Sequence, residues 1–202
     1  MYGPITQWDA DILLYIQDHL RADWLTPIMK VITHLGEKGI FWILLCIALL
    51  IPKRTRRVGL ISALALLFGW LTCNVVIKSL VGRVRPYEVI EGLTSLVGAQ
   101  KDTSFPSGHA AAAFATTIGF CLASWSKKEH WPKWPGIALI VLSLLICFSR
   151  LYVGVHYPTD VIAGILISSA IATGVYFVFL AVEKKIMKRK QERDDANAMS
   201  PL

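Results

Sequence analysis

The sequence predicts an all-α integral membrane bundle of about six helices, with five membrane-spanning segments preceded by short N-terminal interfacial helices. Of the 202 residues, 54% are hydrophobic and only 17% are charged, and the charged residues cluster between apolar runs. That composition is too apolar for an ordinary soluble domain of this length. No long polar stretch interrupts the pattern, so we expect one domain over 1–202, divided into N-terminal helices (1–36), a membrane core (37–183) and a basic cytoplasmic tail (184–202).

The first segment with helical periodicity covers 8–20. Its apolar residues fall on one helical face, opposite acidic and amide side chains: Trp8, Ile12, Leu13, Ile16 and Leu20. This pattern is typical of an amphipathic helix that lies at the membrane interface. A second short apolar helix is expected over 24–35, and whether it crosses the membrane is left open. Gly36 and Gly39 break the pattern after it.

Five apolar segments follow that we expect to cross the membrane. They cover 39–51, 58–77, 110–125, 136–148 and 161–182. A spanning helix needs about 20 residues, so the shorter segments must extend into their flanks or tilt. Small residues crowd the third segment, and in lipid such residues allow helices to pack closely.

Basic residues in the connecting loops predict the orientation. Lysine and arginine occur in runs at 53–57, 127–133 and 184–190. Alternating spans place all three runs on one side, which the positive-inside rule makes cytoplasmic. The loops 78–107 and 149–160 then lie together on the extracytoplasmic face. They also carry basic residues, which the same rule disfavours there, so those charges require a functional explanation.

Neither the net charge nor the cysteines predict a further partner or cofactor. The net charge of +7 is what basic cytoplasmic loops alone would give, and we expect no nucleic-acid partner. The cysteines lie inside apolar segments without the spacing of metal ligands, and we interpret them as free, buried residues: Cys46, Cys73, Cys121 and Cys147. The oligomeric state is left open.

Three polar clusters fall on the predicted extracytoplasmic face. Lys78, Arg85 and Arg150 offer concentrated positive charge, and the planar fork of arginine suits phosphate oxygens. Ser107 and Gly108 stand where a helix begins, so their backbone N–H groups and the helix dipole can hold an anion. Together these five residues predict a phosphate-binding pocket.

Two histidines and an aspartate add groups that can carry out chemistry. His109 follows Gly108 directly and can reach the same anion. His156 lies just before Pro158, a good first-turn residue for a helix. Asp160 follows His156 by four positions, a spacing that lets its carboxylate orient the imidazole and stabilise an imidazolium.

These groups match the needs of phosphoryl transfer, which are charge neutralisation, an in-line nucleophile and a proton for the leaving oxygen. His156 would attack phosphorus to give a phosphohistidine. His109 would protonate the leaving oxygen and then activate the water that hydrolyses the intermediate. No acidic cluster of metal-ligating type accompanies these residues in the sequence. We therefore expect no metal and no other cofactor, with the cations taking the role that magnesium has elsewhere.

At these positions the sequence resembles the type-2 phosphatidic acid phosphatase family. The family signature has three parts, each matched in order: Lys78 with Arg85-Pro86, then Pro106-Ser107-Gly108-His109, then Ser149-Arg150 with His156 and Asp160. The resemblance implies His156 as the nucleophile, Asp160 as its orienting acid and His109 as the general acid. It implies phosphate binding by the other members of the signature: Lys78, Arg85, Ser107, Gly108 and Arg150.

The resemblance also implies a substrate class, a lipid phosphate or diphosphate. The small size and short loops are similar to the bacterial undecaprenyl-diphosphate phosphatases, so we expect conversion of undecaprenyl diphosphate to undecaprenyl phosphate at the extracytoplasmic face. Phosphatidylglycerophosphate, phosphatidate and lipid A phosphatases share the signature and stay as alternatives.

Two functions of another kind stay open as well, lipid transport and phosphotransfer to a lipid acceptor. Transport is disfavoured because the polar residues gather at segment ends instead of the middle of the bilayer. The motifs do not separate a phosphotransferase from a hydrolase. Arg83 lies outside the signature, and the sequence leaves open whether it contacts substrate.

Overall fold

The computed structural model describes residues 4–129 and 131–198, and over these ranges all regular secondary structure is helical. The α-helices are α1 (Pro4–Leu20), α2 (Leu25–Leu35), α3 (Ile40–Leu50), α4 (Arg56–Trp70), α5 (Lys78–Val81), α6 (Pro86–Val89), α7 (Gly108–Ser124), α8 (Trp134–Tyr152) and α9 (Pro158–Ala198). The prediction of an all-α membrane bundle is confirmed. Residues 1–3 of the predicted N-terminal segment and 199–202 of the predicted tail lie outside the described residues.

Among the described residues, three helical stretches are long and apolar enough to cross a membrane: Arg56–Val89, Trp134–Tyr152 and Pro158–Asn197. The helix α2 and the stretch Glu37–Leu50 meet the same criteria only together, with a bend of 43° at the break between them. The predicted segment 39–51 is therefore too short to span alone, and the helix at 24–35 is the element that supplies the missing length.

The central helix of the bundle is α7, the segment predicted at 110–125. It packs against α4, α8 and α9, and most of its 17 residues are buried. Its alanines allow close approach, since a Cβ added to Gly69 of α4 would lie 2.9 Å from the Cβ of Ala115. Protein surrounds α7, which explains how a helix shorter than a full span is accommodated. The four cysteines are free and buried, as predicted.

The N-terminal helix α1 packs against α8 and α9. Its buried stripe includes Leu13 and Ile16, as predicted, but Trp8 and Leu20 of the predicted apolar face are 49% and 40% exposed. Asp9 lies on the buried stripe instead and has no exposed surface. A buried carboxylate on an apolar face requires polar partners, which identifies Asp9 as a residue with a specific role.

The basic loops meet at one end of the bundle. Arg57 forms ion pairs with Glu129 (3.6 Å) and Glu183 (3.4 Å), and Lys128 pairs with Glu183 (2.6 Å). Because the spans alternate in direction, α4 and α8 end, and α7 and α9 begin, at the opposite end. The three sequence motifs lie there.

Candidate active site

A cavity of about 880 Å³ opens at this end of the bundle. Six of the eight predicted site residues line it: Lys78, Arg85, Gly108, His109, Arg150 and His156. Ser107 and Asp160 are fully buried and do not line the cavity. The fold thus brings the three motifs together around one space.

The local backbone explains how the first motif reaches the cavity. A π-helical stretch, Leu71–Ile77, follows α4 and leads into Lys78 at the start of α5. Such stretches have wider turns than an α-helix and often occur at functional sites. Gly82 ends α5 with a φ of +60°, a conformation that glycine adopts without strain. Arg85 is extended and precedes Pro86, the first residue of α6.

His156 lies in the short loop between α8 and α9, with its two ring nitrogens in different surroundings. Arg85 donates from Nη1 to Nε2 of His156 across 3.1 Å. Because a guanidinium can only donate, Nε2 must carry the lone pair, which places the ring hydrogen on Nδ1. Burial, followed by the charge of Arg85, holds the pKa of His156 well below its ordinary value. The imidazole is therefore neutral, with its lone pair on the nitrogen that faces the cations.

The carboxylate of Asp160 lies 3.5 Å from Nδ1 of His156, and this nitrogen has no hydrogen-bond partner within the described ranges. Asp160 instead accepts hydrogen bonds from the hydroxyl of Ser104 and from the backbone N–H of Tyr157. Its other oxygen accepts from Arg83 at 2.7 Å. The predicted pair is adjacent, but the two side chains must approach further to form a hydrogen bond.

Two of the predicted phosphate-binding cations, Lys78 and Arg85, form ion pairs with an acidic side chain. The carboxylate of Asp102 forms ion pairs with Nζ of Lys78 and, at 2.6 Å, with Nη2 of Arg85. Burial raises the pKa of Asp102, but Lys78 and then Arg85 outweigh that effect and lower it to about 2. The ionised carboxylate therefore stands where an oxyanion would bind.

Arg150 and His109 present unsatisfied polar atoms at the cavity. Arg150 donates from Nη1 to the hydroxyl of Thr33 at 2.5 Å, while its Nε is buried without a hydrogen-bond partner among the described residues. The same is true of Nε2 of His109. Such buried, unpartnered polar atoms are costly unless a ligand or water meets them. An anion in the cavity would accept from Nε of Arg150, and from Nε2 of His109 when that nitrogen carries a proton.

The start of α7 differs in one respect from the predicted anion cradle. The backbone N–H of Ser107 donates to the carbonyl of Asp160 (3.0 Å), and its hydroxyl caps α7 by accepting from Ala110 (3.5 Å). This N–H is thus unavailable to an anion, because Ser107 joins α7 to the start of α9. Gly108 does line the cavity, and the amide of Asn74 occupies the position of its missing Cβ.

The rest of the cavity is an apolar slot between α3 and α4. Its walls are Ile43, Cys46, Ile47 and Leu50 of α3 and Ala63, Leu66, Leu67 and Trp70 of α4. Since α3 has 11 residues, the slot follows about 16 Å of helix. Ile43, Ile47 and Leu67 are each nearly half exposed, so the slot is open along its side.

Several residues of the site were missed by sequence reasoning: Asp9, Thr33, Gly36, Asn74, Asp102 and Ser104. The position of Asp9 in line with Leu13 and Ile16 was a usable signal. Gly36 leaves room for a catalytic candidate, since its Cβ would lie 2.5 Å from Cδ2 of His109. The others carried no signal, because single polar residues in loops and helices are common.

Within residues 4–129 and 131–198, no group of three or more histidine, cysteine, aspartate or glutamate side chains is placed to hold a metal ion. Two acids of the site are instead paired with cations, Asp102 with Lys78 and Arg85, and Asp160 with Arg83. The donor set thus suits an oxyanion.

Known proteins are similar to this chain in both sequence and architecture. The profile of the PAP2 superfamily matches residues 57–184. Undecaprenyl-diphosphatase of Sulfolobus acidocaldarius is 33% identical over 148 residues, covering 73% of this chain and 68% of that protein. Phosphatidylglycerophosphatase B of Bacillus subtilis is 30% identical over 179 residues, covering 86% and 82%. The solved transmembrane PAP2 type phosphatidylglycerolphosphate phosphatase of Bacillus subtilis matches with a TM-score of 0.69 at 26% identity, covering 92% of this chain and 89% of that one.

Proposed function

The chain belongs to the PAP2 superfamily and is a lipid phosphatase, and from that premise we propose that it converts undecaprenyl diphosphate to undecaprenyl phosphate at the extracytoplasmic face. The reaction runs through a phosphohistidine at His156 and needs no metal. The observation that carries this proposal is the continuity of a cationic head and an apolar slot in one cavity. A lipid with a phosphorylated head needs both environments.

In the proposed first step, Nε2 of His156 attacks the terminal phosphorus while the bond from that phosphorus to the bridging oxygen breaks. His109 donates a proton to this oxygen, and undecaprenyl phosphate leaves. The arrangement of His156 supports this step, because its pKa is lowered and its lone pair lies on Nε2. The other nitrogen faces Asp160, whose negative charge would stabilise the positively charged phosphohistidine ring.

In the second step, water attacks the phosphorus of the intermediate and the bond to Nε2 breaks. His109, now neutral, accepts a proton from this water, and inorganic phosphate is released. Lys78, Arg85 and Arg150 neutralise the oxygens that gain charge in both transition states. Both Nε of Arg150 and Nε2 of His109 lack a hydrogen-bond partner among the described residues, which supports these assignments.

Binding in this way requires Asp102 to leave Lys78 and Arg85. Its side chain is 56% exposed and belongs to the segment between α6 and α7, so it can turn to solvent without opening the core. The substrate phosphate then takes over both cations. The resting ion pairs thus neutralise part of the positive charge of the site between turnovers.

The choice of lipid and the sidedness rest on two further observations. The relative from Sulfolobus acidocaldarius is named for undecaprenyl diphosphate, and its alignment with this chain covers 68% of that relative. The basic loops meet at the end of the bundle opposite the cavity, and the positive-inside rule assigns that end to the cytoplasm.

A second candidate substrate is phosphatidylglycerophosphate, because the relative named for it aligns over a larger share of this chain. Purified protein in detergent, presented with undecaprenyl diphosphate, phosphatidylglycerophosphate, phosphatidate and lipid A, separates the candidates by phosphate released per minute. We expect the highest kcat/KM on undecaprenyl diphosphate and no release above background from His156→Ala. A higher kcat/KM on another lipid would reject the proposed substrate, and turnover by His156→Ala would reject the phosphohistidine.

A further inference from the structure

Asp9 is a fully buried carboxylate in α1, a helix outside the three motifs. It accepts hydrogen bonds from Nη2 of Arg83 (2.7 Å), from the backbone N–H of Thr159 (2.9 Å) and from the hydroxyl of Thr159 (2.6 Å). A charge this deep is retained at a large cost unless it is paired and hydrogen-bonded. Asp9 thus contacts the start of α9 directly, through Thr159.

Arg83 links Asp9 to the candidate active site. Its Nη1 donates to Oδ1 of Asp160 and to the hydroxyl of Thr159, both at 2.7 Å. The guanidinium lies 3.6 Å above the centre of the Tyr157 ring, a cation–π contact that fixes its plane. One guanidinium therefore bridges two buried carboxylates in a single orientation.

From this geometry we infer that Asp9 and Arg83 are positioning residues that act on His156 through Asp160. The inference rests on the proposed function, in which Asp160 stabilises the phosphohistidine ring. Arg83 holds the carboxylate of Asp160 in one position, because its Nη1 donates to Oδ1 of that side chain. Asp9 holds Arg83 in place and anchors Thr159, so α1 completes the catalytic centre.

A purely structural role predicts something different. If the network only fastened α1 to α9, its loss would lower the midpoint of thermal unfolding and leave kcat per folded molecule unchanged. A positioning role predicts that kcat falls while KM stays constant, since neither residue lines the cavity. It also predicts that changing Asp9 or Arg83 no longer lowers kcat in a variant in which Asp160 is already replaced.

The test is a double-mutant cycle on the full-length protein in detergent micelles. Asp160→Asn should lower kcat at least about 100-fold. Asp9→Asn should lower it about tenfold, with KM within a factor of two. In the double variant, Asp9→Asn should change the remaining kcat by less than about twofold. Arg83→Lys, which keeps the charge but cannot bridge both acids, should behave as Asp9→Asn and serves in its place should that variant not fold. Asp11→Asn, exposed on the same helix, is the matched control.

The factor by which each variant lowers kcat should be the same on undecaprenyl diphosphate and on phosphatidylglycerophosphate, since positioning acts on the nucleophile and not on the lipid. A wild-type kcat in both Asp9→Asn and Arg83→Lys would overturn the inference. The inference would also be overturned if kcat of the double variant were lowered by the product of the factors measured for Asp9→Asn and Asp160→Asn alone. If Asp160→Asn itself kept full kcat, the role of Asp160 in the proposed mechanism would fail first. The two failures are therefore distinguishable.

Discussion

Nη2 of Arg85 lies 2.6 Å from the carboxylate of Asp102, while Nη1 of the same guanidinium donates to His156. One side chain thus joins the acid that occupies the cationic site to the proposed nucleophile. In the proposed mechanism, binding of a phosphate group breaks the first contact and leaves Arg85 free to follow the phosphate away from Nε2. The exchange would uncover the lone pair only when substrate is present.

Removing the charge of Asp102 should therefore strengthen substrate binding. We expect Asp102→Asn to lower KM and the inhibition constant of vanadate about fivefold, with kcat at least equal to wild type, because the carboxylate competes with phosphate for Lys78 and Arg85. Glu88→Gln, exposed in α6, controls for the change in net charge. A higher KM in Asp102→Asn would contradict the competition.

A metal requirement is directly testable. Turnover should stay within about twofold of its initial value in excess EDTA, because in the proposed mechanism Lys78, Arg85 and Arg150 supply the positive charge that a metal ion gives other phosphatases. Vanadate should inhibit, since it mimics pentacoordinate phosphorus. Activity that vanishes in EDTA and returns with added magnesium would show that the cations alone are insufficient.

Gly36 should be essential for the position of His109. In Gly36→Ala the new methyl would lie 2.5 Å from Cδ2 of His109 and 3.0 Å from Cγ2 of Ile146, so the imidazole must move. If His109 is the general acid of the proposed mechanism, a displacement of its ring by about 1 Å should lower kcat about 100-fold. Gly174→Ala places its methyl in open space and is the control. Equal kcat in the two variants would refute the assignment.

Acid should destabilise the folded protein through His156. The pKa of this histidine is lowered in the folded state, whereas the unfolded chain has an ordinary value of about 6.5. As the pH falls below that value, the unfolded chain binds a proton that the folded state refuses, so stability is lost, by at most about 1.4 kcal/mol per pH unit. His156→Gln should lose less of its thermal midpoint between pH 7.5 and 5.0 than wild type. Identical losses would contradict this, and His19→Gln, on the exposed end of α1, is the control.

The sequence predicted the parts of the fold and the site that depend on repetition and spacing. Apolar periodicity located the long spans, and alternation of direction placed Lys78, His109 and His156 at one end of the bundle. The break at Gly36 was visible, but not the bend of 43° that joins α2 to the following stretch. That outcome depends on packing around α7, which no local pattern encodes.

Contacts between distant residues explain the remaining gaps. Asp9 meets Thr159 across 150 positions, and Thr33 meets Arg150 across 117, so neither pairing follows from local spacing. The sequence left open whether Arg83 contacts substrate, and in the structure it instead bridges the carboxylates of Asp9 and Asp160. The Ser107 N–H was expected to face an anion and instead joins two helices.

The side opening of the slot between α3 and α4 gives a lipid substrate a route into the cavity from the side of the bundle. Ile43, Ile47 and Leu67 form part of both the slot and the outer surface of the bundle. A polyprenyl or acyl chain can enter sideways without passing through water, which would cost about 0.8 kcal/mol for each methylene exposed. Encounter is then a search in two dimensions, and the quantity that sets the rate is the mole fraction of substrate in the bilayer. Added inert lipid or detergent should slow turnover by surface dilution even when the bulk amount of substrate is constant.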